Sequence, residues 1–253
     1  MQTIALTGVL LPVWEDVNDD FGEQDHVNVA AKLYLLYRDT DIDFILFTGD
    51  SRSTRYGVDF SKNLATNFEI HGEIAHTPKQ RIQLLNSSGI LASDEIAVTS
   101  YLLGLRYLTE NDVTTILEFY HNDAGYSATE MDRFYQLVSA ANTQYIATGN
   151  DSLFEQASSM SKRGYARPQI GRNYIYAKIT KKEPFDLLYF TPGLTAILNL
   201  EDESYSLSPE AIYSGFTNWE LRLRYVRIDG GRFTEHGEKL NESKLELRVR
   251  YYF

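Results

Sequence analysis

The chain has 253 residues, 43% of them hydrophobic, which suits one large β domain or two ordinary domains and excludes a disordered chain. Its net charge of −11 argues against general nucleic-acid binding, because no basic excess exists to displace counterions from phosphates. With no cysteine, disulfides, thiolate metal sites and cysteine nucleophiles are all excluded.

Alternation of apolar and polar residues, the mark of a strand with unlike faces, predicts twelve strands. In chain order they lie near 3–13, 27–38, 41–49, 54–62, 67–76, 95–108, 112–121, 172–181, 186–200, 204–215, 218–228 and 244–253. TIALTGVLLPV, the first, fits either parity. NVAAKLYLLYR, NFEIHGEIAH, NWELRLRYV and KLELRVRYYF alternate most cleanly. No apolar run approaches the roughly 18 residues of a membrane-spanning helix. MQTIALTGVLLPVWED lacks the basic start and small-residue cleavage site of a signal peptide. Those features fit a cytoplasmic protein, an exported one whose leader is gone, or a piece of a longer barrel.

The connections tend to alternate between long and short. Tight turns are expected at 39–40, 64–67, 109–113, 181–185 and 217–218. The other side carries WEDVNDDFGEQDH, GDSRST, TPKQRIQLLNSSGILASDE, the segment 123–171, EDES and DGGRFTEHGEKLNES. A transmembrane β-barrel, with short turns at one end and long loops at the other, has this asymmetry. An even strand number returns both termini to the short-turn side, whereas a sandwich supplies no reason for the rule.

Alternation alone does not say which face points outward, and a soluble barrel would place its charges outside. Three features favour lipid outside. About twelve strands enclose more room than the roughly eight-stranded barrel that side chains fill. Tyr37, Tyr107, Trp219, Tyr251 and Phe253 sit near the short turns, with Tyr56 and Trp14 toward the loops, as interfacial girdles do. The opposite face carries Asp43, Asp59, Glu69, His71, Glu73, Arg106, Glu118, Lys178, Glu210, Arg222, Arg224, Arg248 and Arg250, a set suited to a wet lumen.

The last strand, apolar or aromatic at alternate positions with Tyr251 and a terminal Phe253, resembles the C-terminal assembly signal of Gram-negative outer-membrane β-barrel proteins. That resemblance implies an integral outer-membrane location, recognition by the barrel-assembly machinery, and closure of the barrel between the last strand and the first.

Glu69, Glu73 and Glu118 fall on strands five and seven, and Arg222, Arg224, Arg248 and Arg250 on strands eleven and twelve. Opposed walls of this kind set a transverse field, and charged rings and ladders set selectivity in channels. The leading expectation is therefore a channel for ions or small polar solutes, without enzymatic activity and without a cofactor. A non-conducting docking barrel, its lumen closed by ion pairs, is the alternative. In segment 123–171, Met131, Phe134, Tyr135, Leu137 and Val138 have helical spacing, with Thr129 as a candidate N-cap and a second helix expected over NDSLFEQASSMSKRGYARP. This segment is expected to enter or cover the mouth, or to form an external surface.

Asp16, Asn18 and Asp20 alternate like calcium ligands, but glycine falls at the seventh place and no glutamate stands at the twelfth, so a solvated acidic loop is the better reading. No phospholipase pattern of His, Ser and Asn is found. His71, between Glu69 and Glu73, is the one suggestive base inside. His121 beside Asp123, and His26 after Asp25, leave a mouth-sited hydrolase as a third possibility.

Overall fold

Twelve strands pair in chain order into one antiparallel sheet in the computed structural model, which describes residues 3–86, 91–162 and 169–253. They are β1 (Thr3–Val13), β2 (His26–Tyr37), β3 (Thr40–Gly49), β4 (Arg55–Ala65), β5 (Phe68–Leu85), β6 (Leu91–Leu108), β7 (Val113–Asn122), β8 (Asn173–Lys181), β9 (Phe190–Asn199), β10 (Tyr205–Tyr213), β11 (Trp219–Asp229) and β12 (Ser243–Tyr251). Apart from β5 and β6, at 18 residues each, every strand has 9 to 12 residues. A tilted strand of about 9–11 residues crosses a bilayer's hydrocarbon core.

Local chemistry makes this a meander. Between β2 and β3, Arg38 and Asp39 both have left-handed backbones, at φ 49° and 55°. Two such residues form a turn whose twist matches the flanking strands. The predicted strands recur with shifted ends. The loop expected at 77–95 is for the most part strand: β5 and β6 continue as a hairpin beyond the sheet. A bulge between Thr77 and Gln80 absorbs Pro78, and Arg81 then pairs with Glu95. The turn expected at 181–185 is longer, with a 3-10 turn at Pro184–Asp186 and β9 starting only at Phe190. Strand β12 stops at Tyr251, so Phe253 lies outside it.

Opposed residues in an antiparallel pair share a face, so the register defines two faces. One apolar row runs Ile4–Leu35–Ile42–Phe60–Gly72–Leu103–Phe119–Ile175–Leu198–Tyr205 across ten strands. Leu105, Leu117, Ala177, Ala196 and Leu207 form another row, and Ala211, Leu223 and Leu247 extend the face to β12. The face is exposed: Leu6 is 77% accessible, Leu103 55% and Leu247 69%. The ten-strand row leaves β1 near the short turns and reaches Asp229 of β11 at the loop end. Neighbouring strands are therefore staggered steadily in one direction.

The main apolar cluster lies beyond the sheet, at the loop end. Helices α1 (Ala128–Thr148) and α2 (Ser152–Met160) bury Met131, Phe134, Tyr135, Ala157 and Met160 with Leu85, Tyr126 and Ile170. Ser127, not Thr129, caps α1: its side chain accepts from Glu130 N–H, and the Glu130 carboxylate accepts from Ser127 N–H. Gly149, at φ 71°, ends the helix in the left-handed form that glycine tolerates best. The tail of the expected second helix, 163–168, lies outside the described residues.

Two distant parts of the sheet meet α1. Arg133 donates to Leu85 O at the tip of β5 (3.3 Å), while the Tyr135 ring stacks on Phe233 in the β11–β12 loop, 5.9 Å between centroids. Strands six places apart thus bracket one helix over one end of the sheet. Among the described residues β1 and β12 have one neighbour each, and the closing pair expected between them is not formed.

Candidate functional site

The polar face is the candidate site. All ten residues expected to line it, namely Glu69, His71, Glu73, Arg106, Glu118, Lys178, Arg222, Arg224, Arg248 and Arg250, share this face by register. Carboxylates gather on one side. Asp43, Asp59 and Glu73 are successive cross-strand neighbours on β3, β4 and β5, and Lys32 holds Asp43 at 2.7 Å. Guanidinium groups gather on the other, where Arg222 and Arg248 stand directly opposite across β11 and β12. Like charges directly opposed in a sheet are destabilising, so both rows cost stability that counter-ions must offset.

Part of that offset is built in. Glu210 is the most buried of these carboxylates, its side chain 5% exposed, and it receives Lys178 at 3.2 Å and Arg222 Nε at 3.0 Å. Arg248 meets Glu246 at 3.1 Å, and Arg250 meets Glu220 at 3.2 Å. Arg224 reaches Ser208 Oγ at 3.3 Å. The side chains of Arg106, Arg248 and Arg250 remain 46–56% exposed. The face thus has a nearly buried ion-paired cluster around Glu210 on β8, β10 and β11, and half-exposed arginines on β6 and β12.

His71 faces Glu118, with 3.3 Å from Nε2 to the carboxylate, and Glu69 lies 3.9 Å from Nδ1. The strand between them has Gly104 opposite both; a Cβ there would stand 2.2 Å from His71 Nε2. Glycine is what lets the imidazole reach across β6. Both His71 nitrogens thus point at carboxylates.

At the loop end His121 does meet Asp123, at 2.9 Å, but its other nitrogen lies 2.7 Å from Asn173 Oδ1. Burial opposes the charge on Asp123, yet hydrogen bonds from His121 and from Thr99 N–H hold its carboxyl below the usual range. By register His121 stands opposite Tyr101, on the apolar face, and stacks on that ring. His26 pairs with Val13 at the start of β2 and is not part of this group. Asn18 donates to Pro12 O, and among the described residues no three acidic or histidine side chains are set to hold a metal ion.

No protein-family model, curated protein or solved structure matches the chain.

A second cluster escaped sequence reasoning. The loop between β11 and β12 folds sideways over β10 and plants Glu235 on the polar face. Its Oε2 accepts from the Tyr174 hydroxyl at 2.6 Å and from Asn199 Nδ2 at 2.8 Å. Glu235 N–H donates to Asp202 and His236 N–H to Ser204. The residues joined here are up to 61 apart in sequence, and no local pattern marks them.

Of the two residues of the resembled assembly signal, Tyr251 lies on the apolar face against Trp219, 4.9 Å between ring centroids, while Phe253 is fully exposed.

Proposed function

We propose that the chain is a membrane-spanning β-barrel of the outer-membrane type, whose polar face lines a pore for ions or small polar solutes. The observation that carries this reading is the exposed apolar face that reaches from β1 to β12, with the charged residues collected on the opposite face. A protein in water rarely exposes more than a few hundred Å² of contiguous apolar surface. Strand length, a lipid-facing aromatic rim (Tyr37, Tyr107, Trp219 and Tyr251) and long loops at one end support the same reading.

Closure follows from the physics of lipid. Each unpaired backbone group in hydrocarbon costs several kcal/mol, so two free edges are untenable there. Strands β1 and β12 run antiparallel, with the start of β1 and the end of β12 on the same side, and the steady stagger is what a closed barrel needs. In a bilayer they pair with each other. Because the chain has no cysteine, paired substitutions on one face, such as Leu6→Cys with Leu247→Cys and their same-face register neighbours, report this directly. Intrachain cross-links independent of protein concentration are expected; cross-links only between chains would refute single-chain closure.

The functional test is planar-bilayer conductance of the refolded protein in a salt gradient. Discrete, reproducible steps are expected, and the sign of the reversal potential tells which wall dominates. The capped loop end favours a second reading, a non-conducting docking barrel. Insertion without steps would support it against the channel.

A further inference from the structure

The β11–β12 loop holds two ionisable side chains that the pore reading leaves unused. Glu235 is 3% exposed and His236 8% exposed, and they are adjacent in the chain. Glu235 Oε2 has its two donors, but Oε1 has no hydrogen-bond partner, with Lys239 Nζ no nearer than 3.9 Å. Neither His236 ring nitrogen has a partner. Orphaned buried polar atoms cost free energy, and a fold that keeps three of them in one loop holds that loop down weakly.

Docked, residues 230–242 form a strap at the mouth, between the polar-face ends of β8 to β10 and helix α1. From this geometry we infer that the strap is a proton-operated latch over the mouth, in which Glu235 and His236 respond to acid in opposite senses. The gating role rests on the pore reading; the latch itself does not.

The surrounding charges define the senses. Facing the pair are Tyr174 from β8, Asp202 from the β9–β10 turn, Tyr135 from α1, and Lys239 and Glu238 from the strap itself. Burial, the largest influence, pushes the Glu235 carboxyl above its usual range, against the Tyr174 and Asn199 hydrogen bonds and Lys239. Burial also pushes the His236 imidazole below its usual range, helped by Lys239. By linkage, Glu235 favours docking at low pH, and that contribution is lost as pH rises through its raised value. His236 favours docking above about pH 6.5, and its contribution is lost as pH falls through its lowered value.

Single variants separate the two. Hydrogen exchange of the 232–239 segment, corrected for intrinsic rate, is measured between pH 7.5 and 4.5 in the refolded protein. With Glu235→Gln, protection should fall several-fold as the medium is acidified, because His236 is then the member of the pair left to respond. With His236→Leu it should rise. Tyr174→Phe, which keeps both charges, should lose more protection at pH 7.5 than at 4.5, since it removes a donor to the ionised carboxylate. Slopes that are flat or of one sign in both variants would overturn the latch. Conductance recorded on the same proteins should rise as protection falls. Opposite slopes with conductance that ignores them would overturn gating alone, and an absence of any conductance would refute the pore reading while the slopes still decide the latch.

Discussion

Leu223→Arg is expected to destabilise the bilayer-inserted protein by about 2–4 kcal/mol, the cost of a cation on the lipid face near the membrane middle. Leu223 lies mid-way along β11, opposite Ala211 on one side and Leu247 on the other, and its side chain points out of the apolar face. Arg248→Leu on the neighbouring strand is the control. Its side chain is 46% exposed and meets Glu246, which keeps Lys244 as a second partner. A loss below about 1 kcal/mol is expected there, as for exposed ion pairs generally. Urea titration of the protein folded into lipid vesicles gives both values. The reverse order, with the arginine exchange costly and the leucine exchange mild, would put the apolar face inside a soluble barrel.

Much of the fold was legible because a strand writes its faces into the sequence with a period of two. KLELRVRYYF and NWELRLRYV alternate most cleanly, and the register places Lys244 to Tyr251 and Trp219 to Val226 on the faces their parity implied. The same parity collects Glu69, His71, Glu73 and the four arginines on one face. Where periodicity is broken, legibility ends. Pro78 and the polar run after it read as a loop, whereas a bulge carries β5 onward to Leu85. The buried latch was invisible for a different reason. Tyr174, Asn199, Asp202 and Glu235 converge from three separate connections and strand ends, and a glutamate in a polar loop looks solvated until its partners are seen. Parity is local information, while burial of a loop is not.

The ion-paired Glu210 cluster of the polar face supplies the other large effect. Glu210 is nearly inaccessible, but its partners Lys178 and Arg222 are 30% and 26% exposed. Desolvation therefore falls chiefly on the carboxylate. Removing both cations with Lys178→Met and Arg222→Met leaves a buried charge without compensation, and about 3–5 kcal/mol of stability should be lost. Glu210→Leu alone should cost less, because two partly solvated cations can turn toward water. The triple variant should recover most of the loss, since an apolar trio of similar volume leaves no charge to desolvate. Vesicle refolding titrations of the single, double and triple variants close the cycle. If the triple were as unstable as the double, the loss would come from packing around β8, β10 and β11, and the buried carboxylate would not be its cause. The cycle also bears on permeation. The carboxylate and its two cations together keep one net positive charge, so on the pore reading the triple variant should change stability little and shift ion selectivity toward cations. The rest of the selectivity would reside in the Asp43–Asp59–Glu73 row and the exposed Arg248 and Arg250.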